Sequence, residues 1–270
     1  MKKFGLFMVL TLFSVVSFTS CLGDNGNTEN ITDLGVLGYG SGNLVLRGLG
    51  PTIYSPEITA WFNAGNMEIG GCYLYDYRID YDLPENSESM FLTNGYYTVS
   101  INSIYAYGQY SMSYELTDTS TVQMGEIAVQ DGLFSGDYSI YSRGHLFTTQ
   151  IASLPNDIKS VNWDISYDSE TMMPTEADGE RFYDLFLRAS TYDESESKTV
   201  ESYYFRNAYN IQYYIINAAN KEKDYLAGFY TETSSIKLRL NYAESIKDGV
   251  ITWNSKVIPL GIAYVLSLEN

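Results

Sequence analysis

The chain has 270 residues, with 33 acidic against 16 basic side chains and a formal net charge of −17. Such an acidic chain repels phosphate backbones and anionic headgroups alike, so nucleic acid is no partner and charge alone cannot hold it to a membrane. Two cysteines and one histidine leave no Cys-based zinc site and no multi-histidine metal motif, and no metal or cofactor is expected.

Met1-Lys2-Lys3 is a basic start, and Phe4 to Phe18 is an apolar run shorter than the ~20 residues that a membrane helix needs. Phe18-Thr19-Ser20-Cys21 follows, small residues leading into a cysteine where a secretory peptide would be cut. That pattern resembles the lipobox of bacterial lipoproteins, although Phe18 stands where Leu is usual. It predicts a signal peptide over 1–20, cleavage before Cys21 and lipidation of the Cys21 thiol, palmitate included. Two or more acyl chains anchor stably where one is marginal, so the expected membrane partner is reached through this N-terminal lipid. Processing removes the charges of Lys2 and Lys3 and takes the net charge from −17 to −19. Residues 21–31 read as a flexible tether; only Asp24 stands close to the lipid cysteine, so the outer-membrane location leaves periplasmic face and cell surface both open.

Strand signals then dominate. Ser55, Pro56 and Glu57 mark the start of one short helix. Tyr73, Tyr75, Tyr77, Ile79 and Tyr81 alternate with Asp76, Arg78, Asp80 and Asp82, the pattern of a strand with one buried and one wet face. Tyr97-Val99-Ile101, Val161-Trp163-Ile165-Tyr167 and Tyr183-Leu185-Leu187 repeat it, as do Ile236-Leu238-Leu240-Tyr242 and Ile258-Leu260-Ile262-Tyr264. Turn signals fall at Gly38 to Gly42, Asn94-Gly95, Gly136-Asp137 and Asp248-Gly249. No segment shows a long helical period. The expected fold is all-β. The polar tract Thr117 to Gln123 places the divide between an N-terminal domain over 32–122 and a C-terminal one over 123–270.

Three stretches carry a resemblance to a family. Gly70-Gly71-Cys72-Tyr73-Leu74-Tyr75-Asp76-Tyr77, the opening of the second half from Ile127 to Tyr141, and Leu185-Phe186-Leu187-Arg188 resemble strands of the NigD-like lipoproteins of Bacteroidota. The resemblance implies an OB-like barrel (residues 32–122) followed by an antiparallel β-sandwich (residues 123–270). It brings no catalytic residues.

Chemistry is sparse. His145, the only histidine, sits in Arg143-Gly144-His145-Leu146 and reads as a strand-edge residue rather than a catalytic base. Gly38-Tyr39-Gly40-Ser41-Gly42 lacks the Lys-Ser/Thr of a phosphate loop and the glycine of a nucleophile elbow. Asp76, Asp80 and Asp82, with Glu85 beyond them, form the best polar cluster. Side chains two apart on a strand lie roughly 6–7 Å from each other, a spacing that suits calcium or paired hydrolytic carboxylates, but alternating charge is also the ordinary solvated face of a strand. Asp193, Glu194 and Glu196 read as a loop tip. Tyrosine is abundant at 26 residues, and the doublets Tyr203-Tyr204 and Tyr213-Tyr214 each turn one ring away from the core, which offers stacking surfaces for a glycan. The expected function is a non-enzymatic, lipid-anchored envelope protein that binds or scaffolds another protein. A glycan-binding lipoprotein with a polysaccharide partner is the first alternative, and a hydrolase using Asp80 and Asp82 the second.

Overall fold

The computed structural model describes residues 26–267 apart from 114, 117, 131–139, 159, 170, 171, 194, 196 and 198. Cys21 and the Gly136-Asp137 turn lie outside the described residues. The first strand, β1 (Thr28–Gly40), is long enough to pair with two neighbours. Its second half runs antiparallel to β2 (Asn43–Arg47), and its first half antiparallel to β4 (Cys72–Asp80). With β3 (Ile53–Tyr54) and β5 (Tyr97–Ala106) these strands close a barrel in the order β1-β2-β3-β5-β4. The tether is therefore shorter than expected: Thr28 to Ile31 already pair with β4.

Alternation in β4 falls as its sequence predicts. Tyr73, Tyr75, Tyr77 and Ile79 are buried with Leu37, Leu46 and Ile53 in the barrel core, while Arg78 is exposed. Helix α1 (Pro56–Asn63) starts with Pro56 at its first position as expected, although the Ser55 hydroxyl bonds the Glu57 carboxylate rather than capping the helix. Helix α2 (Glu88–Asn94) was hidden from the sequence. Asn94-Gly95 is its left-handed end, with Gly95 at φ 74°, and not a hairpin turn.

β6 (Gly108–Ser111) already belongs to the second domain, where it pairs in parallel with β13 (Val200–Asn210). The sheets therefore change at Tyr107, ahead of the divide expected at 122/123. The C-terminal part is a sandwich of two sheets. One carries β6 and β13 with β8 (Ile140–Ser142) and β9 (His145–Pro155), in the order β6-β13-β9-β8. The other has the order β10-β12-β14-β15, from β10 (Asn162–Ser166), β12 (Glu180–Ser190), β14 (Ser235–Lys247) and β15 (Val250–Gly261). Two short strands, β7 (Glu126–Ile127) and β11 (Thr175–Ala177), also pair with β12. Most ladders are antiparallel, but β12–β14 and β13–β6 are parallel. The Asp248-Gly249 turn joins β14 to β15 with both residues at positive φ, the backbone of a tight hairpin.

Two helices correct the reading of the sequence. Tyr213 and Tyr214 lie in α3 (Gln212–Leu226), and Ile262 and Tyr264 in α4 (Ile262–Ser267), where a continued strand was expected. Tyr214, Ile215, Ala218, Ala219 and Ile262 are buried against the sandwich core.

Candidate functional site

The acidic face of β4 is committed to local structure. Asp76 accepts hydrogen bonds from Thr32 Oγ1 at 2.5 Å and from the Ser103 hydroxyl, each on a neighbouring strand. Asp80 Oδ1 accepts the Asp82 amide at 3.0 Å, and Asp82 Oδ2 accepts the Asn27 amide at 3.0 Å. Arg78 reaches Thr28 Oγ1 at 3.4 Å rather than bridging the acids. Among the described residues no three His, Cys, Asp or Glu side chains are grouped to hold a metal ion. His145 Nδ1 donates to the Arg143 carbonyl at 3.0 Å, and burial pushes its imidazole pKa down. Cys72 is buried, its thiol pushed up to about 12 by desolvation, which makes it a packing residue and a poor nucleophile. Of the acidic loop tip, Asp193 Oδ2 accepts the backbone amide and hydroxyl of Ser160, both at 3.1 Å.

The tyrosine doublets separate into two places. Tyr203 is half-buried on β13, its hydroxyl donating to Glu201 Oε2 at 3.3 Å, while Tyr204 is 72 % exposed. Tyr213 is 62 % exposed and Tyr214 only 4 %. Five residues of strand lie between Tyr204 and Asn210, where α3 is about to begin, so the doublets lie about 20 Å apart and form no single platform.

Around Tyr204 the outer face of the β13–β9 pair is exposed at Ser202, Tyr204 and Arg206. Tyr204 stands opposite Ile151, and Arg206 opposite Thr149. Arg206 extends this face onto the barrel: its guanidinium carbon lies 5.3 Å from the ring centre of Tyr105, which is 49 % exposed. β6 covers only Asn207 to Asn210, so Val200 to Arg206 also form an open strand edge among the described residues. Period-two reading finds Tyr204 and Arg206 on one face. It cannot find Tyr105, which comes from another domain.

At the other end of β13 lies a cleft of about 410 Å³, lined by Ser111, Met112, Tyr167, Asn210, Gln212 and the doublet Tyr213-Tyr214, with Ile216 behind. Asn210 Oδ1 accepts the Gln212 amide at 3.2 Å, turning the chain out of β13 into α3. Tyr214 is held in place: its hydroxyl donates to the Asp184 carbonyl at 2.9 Å, and its ring lies 4.6 Å from that of Tyr167. Beneath it, burial opposes ionisation of the Asp184 carboxyl, but hydrogen bonds from Arg239, Thr175 and Asn241 outweigh it and lower the pKa. Neither Asp184 nor Arg239 is among the residues that line the cleft.

Comparisons with known proteins agree with this architecture. Residues 25–105 match the family model described as the lipoprotein OB domain. No curated protein sequence matches the chain. A solved protein of Parabacteroides merdae ATCC 43184, described as uncharacterized, superposes with a TM-score of 0.63 at 22% identity, over 86% of this chain and 98% of that one. A protein of Parabacteroides distasonis ATCC 8503 described as toxin-related gives 0.51 at 12% identity, over 89% and 98%. A NigD-like immunity protein of Bacteroides caccae ATCC 43185 also matches, at 13% identity over 88% and 98%, but its TM-score of 0.43 is too loose to argue from. Residues 25–105 thus match a lipoprotein OB domain, as the resemblance implied, within an all-β architecture similar to that of solved proteins of Parabacteroides.

Proposed function

We propose that this is a non-enzymatic lipoprotein of the outer membrane, anchored through Cys21, that binds another protein on the face made by Tyr204, Arg206 and Tyr105. The observation that carries the reading is the continuity of that face across both domains. Tyr and Arg are among the residue types that dominate binding energy at protein interfaces, and an exposed sheet surface suits a protein better than a small ligand. The match to the lipoprotein OB domain supports the anchor. The non-enzymatic reading is supported by the use of Asp76, Asp80, Asp82 and His145 as local structural bonds.

The test is crosslinking in intact envelopes followed by capture of the full chain. Tyr204→Ala and Arg206→Ala should each lower recovery of the wild-type partner by at least about tenfold, the scale of an interface hot spot. Tyr39→Ala, at the exposed end of β1, should leave it unchanged, and Cys21→Ala should move the protein out of the membrane fraction. Undiminished capture by Tyr204→Ala would sink the reading, as would substrate turnover by the purified protein. A second reading, carbohydrate binding, is favoured by the tyrosine- and amide-lined cleft at the start of α3.

A further inference from the structure

We infer that the cleft between the end of β6 and the start of α3 binds an uncharged oligosaccharide, with Tyr213 as the stacking wall and Ser111, Asn210 and Gln212 as the hydroxyl-recognising groups. The inference rests on the second reading above and is independent of the protein-binding face. It follows from what lines the space: three tyrosines, two side-chain amides, a serine hydroxyl and two apolar side chains, with no charged residue among the described ones.

Each other ligand class meets a specific obstacle. An anion would find no cation on the walls and would approach a chain of net charge −17. A cation would find no carboxylate among the described lining residues. A wholly apolar ligand would strip water from Asn210, Gln212 and Ser111 without replacing its hydrogen bonds. A sugar ring meets both demands, since its CH face stacks on an aromatic ring while its rim of hydroxyls both donates and accepts. Asn210 Oδ1 already accepts the Gln212 backbone amide, which leaves its Nδ2 as the donor, and the Gln212 side chain, which rests against Gly144, carries both a donor and an acceptor.

The site is also built to hold its shape. Tyr167 and Tyr214 are buried and packed on each other, and Tyr214 is tied to the Asp184 carbonyl, so the floor needs no ordering when a ligand arrives. Of the three tyrosines only Tyr213 is exposed, beside the exposed Ser111, Asn210 and Gln212. The volume of about 410 Å³ falls in the range of roughly 300–1,000 Å³ typical of small-molecule sites, which suits a short segment of a glycan and not a protein surface.

The experiment is an oligosaccharide array with two halves, one of neutral α- and β-linked hexose and pentose oligomers and one of uronic-acid and sulfated oligomers, probed with the mature chain. Retention on the neutral half is expected, with Tyr213→Ala and Gln212→Ala each lowering affinity at least tenfold in calorimetry of the best neutral oligomer, and Tyr39→Ala without effect. Binding confined to the acidic half overturns the assignment of an uncharged ligand while leaving carbohydrate binding in place. Neutral-glycan binding that survives Tyr213→Ala unchanged overturns the site but not the ligand class. An array with no binding on either half overturns both this inference and the second reading, and leaves the protein-binding face to be judged by its own variants.

Discussion

Tyr75 and Tyr77 stand together in the barrel core, ring centroids 5.7 Å apart, but their hydroxyls are placed differently. Tyr75 Oη donates to Asp33 Oδ2 at 3.3 Å, and the same carboxylate accepts the amides of Leu34, Leu49 and Gly50. Burial raises the Asp33 pKa against the pull of these bonds. Tyr77 Oη is buried with no hydrogen-bond partner among the described residues. Removing the Tyr77 ring should therefore be costly and removing its hydroxyl cheap. Tyr77→Ala is expected to lose about 3–5 kcal/mol, the usual scale for a core aromatic. Tyr77→Phe should be neutral or stabilising, by up to about 1–3 kcal/mol, because a buried hydroxyl with no partner carries an uncompensated desolvation cost. Arg78→Ala, on the exposed face, should cost under about 1 kcal/mol. Denaturant melts of the three variants check this order, and a Tyr77→Phe loss as large as that of Tyr77→Ala would mean that the hydroxyl carries a bond absent from this account.

Elements were legible where one residue in two is apolar and illegible where burial needs tertiary partners. β4, β10 and β14 show their buried faces in sequence because each has one wet side. α3 hides because it opens Tyr213-Tyr214-Ile215-Ile216, residues that favour strands, and its buried stripe of Tyr214, Ile215, Ala218, Ala219 and Glu222 is half alanine and acid. The cleft and the Tyr105–Arg206 contact were out of reach for the same reason: each joins residues far apart in the chain. Arg188, quoted only as the end of a strand motif, proves to be a staple. It is buried, pairs with Glu126 at 3.3 Å, and donates to the carbonyls of Asp118 at 2.6 Å and Thr121 at 3.2 Å. Trp253 Nε1 holds the Thr119 carbonyl beside it at 2.9 Å. The polar tract read as the domain divide is thus fastened to the sandwich. Arg188→Ala should cost about 3–5 kcal/mol, because it strands the buried Glu126 carboxylate. Under native conditions it should also open residues 118–126 to a broad-specificity protease that spares the wild type; equal resistance of the two would show that Trp253 alone holds the tract.

At the scale of the whole molecule, the question is whether barrel and sandwich behave as one body. The chain passes between them with no linker: Tyr107 donates its amide to the Cys72 carbonyl of the barrel at 2.9 Å, and Gly108 already pairs with Asn207 of the sandwich. Tyr107 then packs edge-on to Phe147, ring centroids 5.3 Å apart, in a buried cluster with Leu34, Cys72 and Ala208. Gln109 adds a hydrogen bond to Glu68 at 3.0 Å at its margin. Domains joined by polar, mobile interfaces unfold separately, whereas a dry aromatic seam couples them. The wild type should therefore melt in one calorimetric transition despite its two cores. Phe147→Ala removes the largest sandwich side chain of the seam and should cost about 3–5 kcal/mol. If the seam supplies the coupling, that loss should appear as a split into two transitions and not only as a lower midpoint. The same variant should weaken partner capture with Tyr204 and Arg206 intact, since Tyr105 would no longer be held against Arg206. A single, merely shifted transition with full capture would place the coupling elsewhere, in the strand exchange at β6.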